Sequence, residues 1–129
     1  MRHAFASDNY REAEVMAAPP GRLVVIVFDH LLGQLSRARV GMSMQNAEIY
    51  LPAIDRARAA VTELLVTLDR DQGGEIAQRL SSLYLFALQE LQELGVRPDA
   101  LRVERNQRIF QELRDAFAQV VQPARAEVA

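Results

Sequence analysis

The sequence contains no cysteine. That excludes disulfides, thiolate catalysis and sulfur-ligated metals, and it fits a reducing compartment. Lysine is absent as well: all fifteen basic residues are arginine, and seventeen acids leave a net charge of −2. A nucleic-acid binder normally presents a basic face, so this balance speaks against one. Histidine is limited to His3 and His30, and no Glu-x-x-His pair of the di-iron bundle type occurs. Ser36, Ser43, Ser81 and Ser82 have no histidine–carboxylate companions in the sequence. Asp69 and Asp71 before Gly74 imitate the start of a calcium loop. Its fifth position is Gly73, however, and its twelfth is Leu80, where a bidentate Glu is required. Gly73-Gly74 lacks the lysine and the preceding strand of a phosphate loop. Neither an enzyme nor a metal or cofactor site is therefore expected. Long hydrophobic runs are also missing. The greasiest stretch, Leu23 to Phe28, is interrupted by Asp29 and His30, short of the roughly 18 apolar residues of a membrane span. Met1 to Met16 is mixed and charged, with no apolar leader core. These absences point to a soluble cytoplasmic protein.

What is present is a helical pattern. With 129 residues, 50% hydrophobic and 25% charged, the chain reads as one globular domain with a real core. After Pro19-Pro20-Gly21, the positions Val24, Val27, Phe28, Leu31, Leu35, Ala38 and Met42 form one helical stripe. The run Val24-Val25-Ile26-Val27-Phe28 alone has strand propensity, but the register continues helically to Met42. The opposite side carries Leu23 and Ile26 beside Val25, and His30 lies there too, as a surface or partner contact. A helix apolar nearly all round needs cover on both sides, so a second element or a partner must meet this one.

Ser7-Asp8 reads as a cap for a short amphipathic helix carrying Tyr10 and Val15, which Ala17 to Pro20 must end. So short a helix must dock on something. Residues 1–16 are expected to be a mobile cap. A second helix carries Ile54, Ala57, Val61, Leu64, Leu65 and Leu68, with Pro52 in its first turn or at a kink near its start. Asp69 to Gly74 breaks it. A third helix starts near Glu75 with a stripe of Ile76, Leu80, Leu83, Tyr84, Ala87, Leu88, Leu91 and Leu94, widened by Leu85 and Phe86, and Gly95 at its C-cap. Leu68 and Leu83 are expected core leucines. The fourth runs from about Asp99 to Val121 through Val103, Asn106, Phe110, Leu113, Phe117 and Val120. Pro123 is expected to end it and leave 122–129 as a loose tail. Asn106 stands mid-stripe, so either its amide has partners or that stretch faces a groove. Short connections favour an all-α, antiparallel up-down-up-down four-helix bundle with a short N-terminal cap helix. Such a bundle, with surplus apolar surface and no catalytic set, usually binds another chain, often by taking a helix in a groove.

Three segments carry a resemblance. The first is Tyr10, four residues, Val15, then Ala18-Pro19-Pro20 and Leu23 to Asp29. The second is Leu68 to Ala77 followed by Leu80, Leu83 and Tyr84, and the third is Leu113-Arg114-Asp115-Ala116-Phe117. In order and spacing they resemble the flagellar secretion chaperone FliS family over about Tyr10 to Val120. The sequence departs from the family pattern at His30, Asn106, Phe117 and Pro52. The resemblance implies a cytoplasmic export chaperone that binds the disordered C-terminal segment of flagellin. Binding blocks premature polymerisation and keeps the client competent for flagellar type III secretion. It also implies links to the export gate and to the anti-sigma factor of the flagellar regulon. An alternative is a regulatory bundle whose main client is that anti-sigma factor or another secreted protein. Tyr10, Val15, Leu23, Ile26, His30, Leu85 and Asn106 are the expected partner-binding residues, and self-association is expected to be open to the chain without a client.

Overall fold

The computed structural model describes the backbone of residues 20–128 and the side chains of 21–69 and 71–120. The expected cap helix, with Tyr10 and Val15, lies outside the described residues. Four helices follow one another: α1 (Pro20–Ser43), α2 (Ala47–Val66), α3 (Arg70–Val96) and α4 (Ala100–Val128). Among the described residues there is no strand. Short turns reverse the chain each time, giving the antiparallel four-helix bundle. α1 packs along both α2 and α4, α3 packs chiefly on α2, and α3 and α4 face each other at a wider spacing.

Each turn has its chemistry. After α1 the chain passes Gln45 at φ 54°, and the side-chain oxygen of Asn46 accepts the amide of Glu48 at 3.1 Å to cap α2. Asp69 caps α3 by accepting the amide of Gln72 at 3.1 Å. Asp99 accepts the amides of Leu101 at 3.1 Å and Arg102 at 3.3 Å at the head of α4. Gly74 holds φ 55° and ψ −127°, so a single turn over 70–73 is set off from the long body of α3. The break expected before Glu75 is there, and the turn that precedes it was not anticipated.

The core is one cluster. Phe28, Leu31, Leu35 and Ala38 of α1 are fully buried, with Ala53, Ile54, Ala57, Ala60, Val61 and Leu64 of α2. Tyr84, Ala87, Leu91 and Leu94 of α3 and Val103 and Phe110 of α4 complete it. Phe28 is the hub of the aromatic layer, 5.4 Å from the Phe117 ring and 6.3 Å from that of Phe110. Tyr84 stacks on Phe110 at 6.4 Å with 16° between the planes. α1 meets α2 closely at Gly41. A methyl group there would come within 2.8 Å of Ile49 Cγ2 and 2.9 Å of the Tyr50 backbone nitrogen. Gly41→Ala is therefore expected to cost about 1–3 kcal/mol of stability, because backbone cannot yield cheaply. Urea unfolding checks this; an unchanged midpoint would mean that the α1–α2 approach is slack.

Several expectations shift. Ile76 is 70% exposed and Val120 79% exposed, so neither is core. In α3 the buried residues start at Ala77, and from Tyr84 on they follow the expected stripe. Leu85 and Phe86 are half-exposed and do not widen the core stripe. Leu68 and Leu83 are half-buried, so the large cost expected of a core leucine belongs to Leu91 and Leu94. α2 begins five residues before Pro52, which stands inside the helix on its exposed face. Gly95 remains helical against Ile54, and Arg97 takes the C-cap. α4 continues through Pro123 to Val128, since a proline near a helix end forgoes only one late backbone bond.

Burial of Tyr84 has a titration consequence. Its phenol is pushed up from 10 to about 12 by desolvation. Below pH 10 both folded and unfolded states hold the proton, so stability is flat. From there to about 12 the unfolded chain ionises first and stability falls, by roughly 2 kcal/mol in all. Unfolding midpoints across this range should fall for the wild type and fall less for Tyr84→Phe. Parallel curves would place the drop on other groups.

Candidate partner-binding surface

The outward side of α1 is built by the same residues that nucleate its core side. Phe28 faces the interior, and Ile26, two residues earlier, lies about 200° round the helix. Leu23, Val25, Ile26 and His30 are all half-buried. The core is complete without them: none belongs to the buried cluster or to the partly buried set packed on it. Three half-covered aliphatic residues, Leu23, Val25 and Ile26, thus stand at one end of the bundle outside the core packing, while Val24 between them packs on the core.

A second surface lies along the outside of the α2–α3 pair. Asp55, Arg58, Ala59 and Thr62 of α2 face Leu85, Leu88, Gln89 and Gln92 of α3 across a shallow groove. It continues toward the head of α3 by Gly74, Gln78, Ser81 and Ser82, and toward its end by Val96 and Arg97. From Gly74 to Val96 this side of α3 spans about 33 Å. Its floor is leucine, half-exposed at Leu85, and its rim is amide and hydroxyl. Arg58 Nε is buried and has no hydrogen-bond partner among the described residues. An aliphatic floor and an amide rim suit a chain segment that brings apolar side chains and its own backbone groups.

The other two long seams are closed by charge. Arg102 of α4 reaches Glu90 and Glu93 of α3, and these hydrogen bonds, Glu90's foremost, hold its pKa above the ordinary arginine value. Arg114 of α4 donates to Asp29 of α1 at 2.9 Å, a bond that raises its pKa as well. Asn106 is 5% exposed and donates its side-chain amide to the Arg102 carbonyl at 2.9 Å. Of the two alternatives for this residue the first holds: its amide is occupied within α4 and is not offered to a partner.

The structure thus gathers Leu23, Ile26 and His30 on one side of α1 and sets Leu85 apart in the α2–α3 groove. Leu88, Arg58 and Thr62 were missed by sequence reasoning, and the leucine and glutamine pairs of α3 were the available signal. Among the described residues no group of three or more histidine, cysteine or acidic side chains could hold a metal. No described helix is long and apolar enough to cross a membrane.

Comparison with known proteins shows the family. Residues 1–124 match the family model described as flagellar protein FliS. The flagellar secretion chaperone FliS of Salmonella typhimurium is 30% identical over 110 residues, 84% of this chain and 82% of the relative. That of Campylobacter jejuni is 26% identical over 120 residues, covering 93% of this chain and 94% of its own length. That of Escherichia coli is 29% identical over 107 residues, covering 82% and 79%. With a family match over nearly the whole chain and these relatives beside it, the chain belongs to the FliS family of flagellar proteins.

Proposed function

We propose that this protein is a cytoplasmic export chaperone for flagellin that binds the client's disordered C-terminal segment. The observation that carries the reading is the apolar surface left over once the core is complete: Leu23, Val25 and Ile26 on α1 and Leu85 in the groove beside α2. An extended or helical segment can lay its aliphatic side chains on both. Covering that segment keeps flagellin from polymerising before secretion. Tyr10 and Val15, outside the described residues, are proposed to add contacts from the N-terminal side. The relatives' name, flagellar secretion chaperone, supports the reading. It is the name of a binding protein, not of an enzyme, and binding alone accounts for this surface.

Capture tests the proposal. Immobilised protein should retain full-length flagellin and fail to retain flagellin shortened by its C-terminal segment. Equal retention of both forms would refute it. Retention of the anti-sigma factor or another secreted protein in place of flagellin would favour the regulatory alternative.

A further inference from the structure

The two edges of α3 are held by different forces. Its α2 edge is packed closely, and its α4 edge is more widely spaced. Across the α4 edge lie the Tyr84–Phe110 ring stack and the Arg102 bridge. Arg102 reaches Glu90, and it reaches Glu93 at 3.4 Å. Among the described residues, every side-chain hydrogen bond from α4 to α3 comes from this one arginine. Arg102 and Glu90 are only 20% and 18% exposed, so the bridge is largely shielded from water. Such charge-assisted bonds depend on geometry and are lost together once it is broken. The ends of α3 are jointed. At its head Gly74 leaves the helical region, at φ 55° and ψ −127°, with nothing within 4 Å of where a side chain would start. A glycine in that conformation can change direction at little cost. At its other end the helix stops at Arg97, before Pro98.

We infer that α3 is a swinging helix, with α2 as its hinge edge, Gly74 as the joint at its head and Arg102 as the latch that holds its other edge to α4. Released, α3 tilts out on α2 and uncovers the interior between α3 and α4. Ala87, one turn before Glu90, stands on one wall of that seam, and Val103, next to Arg102, on the other. Both are buried while the latch is closed. α1 stays gripped by α2 and α4 throughout. The released form is a minor population, reached at lower cost than unfolding of the whole bundle. The inference does not depend on the identity of the client.

Thiol labelling of the full chain decides it. The chain has no cysteine, so one introduced thiol reports its own exposure. Ala87→Cys and Val103→Cys place a thiol on each wall of the seam, and Ala38→Cys places one in the buried face of α1. Reaction with dithiodipyridine is followed for each variant and set against the rate that its own urea unfolding allows. Ala38→Cys should react only through global unfolding. Ala87→Cys and Val103→Cys should each react about tenfold or more faster than global unfolding allows. Adding Arg102→Met should speed these two by a further ten- to hundredfold or so, beyond any change in global stability, and leave Ala38→Cys in step with its unfolding. Should one seam variant fail to fold, the other gives the same reading from the opposite wall. Seam thiols that react only through global unfolding, with Arg102 or without it, would overturn the inference. An Arg102→Met effect accounted for by global stability at all three positions would overturn it too.

Discussion

Phe28→Ala is expected to cost about 3–5 kcal/mol of folding stability. Phe28 is fully buried and joins α1 to α4 through the rings of Phe110 and Phe117. Truncation removes its own burial and leaves a cavity at the centre of the aromatic layer. Against a total of roughly 5–15 kcal/mol for an ordinary domain, such a loss brings the bundle near unfolding. Phe28→Leu, which keeps most of the volume, should cost distinctly less. Urea unfolding of the three proteins measures the difference. A loss near zero for Phe28→Ala would mean that α1 and α4 do not meet at this ring.

Much of this packing was legible in the sequence. The α1 stripe from Val27 to Met42 is buried as its spacing requires, and the α2 stripe from Ile54 to Leu64 likewise. Both helices lie at the centre of the molecule, where periodicity and burial coincide. The reading failed where a position's burial depends on which neighbour is opposite. Ile76 shares the stripe of α3 by angle, yet at the head of that helix α4 stands too far off to cover it. Val120, late in α4 and so at the same end of the antiparallel pair, is exposed as well. Pro52 was read as a first-turn residue or a kink near the start of α2, and Pro123 as the end of α4; both stand inside their helices, where packing or helix length outweighs the lost backbone bond. The α1 half of the candidate surface was visible as surplus apolar residues on one helix. The groove was not, because Arg58 and Thr62 meet Leu85 and Leu88 only after two helices have paired. Asn106 shows the converse: a polar residue mid-stripe looked like an opening, and the Arg102 carbonyl closed it.

The second large effect concerns binding. Ile26→Asp should weaken capture of the flagellin C-terminal segment by more than a hundredfold while leaving the bundle folded. Burying an isoleucine side chain against a partner is worth roughly 1.5–3 kcal/mol, so Ile26→Ala alone should lose about ten- to a hundredfold. Aspartate adds the cost of a charge left without a partner in a dry contact. Folding survives because Ile26 is half-buried outside the core cluster, so its replacement opens no interior cavity. Leu85→Asp, in the α2–α3 groove, should act the same way, since Leu85 is 50% exposed in the unbound bundle.

The central claim is that apolar surface spare to the fold, on α1 and in the α2–α3 groove, holds the C-terminal segment of flagellin. Calorimetric titration of that segment into the wild type and into Ile26→Asp, with a thermal melt of each, tests it most directly. Saturable binding to the wild type, its loss in Ile26→Asp and closely matching melting temperatures are the predicted result. The same affinity in both proteins, or a collapsed melt with lost helicity in Ile26→Asp, would contradict it.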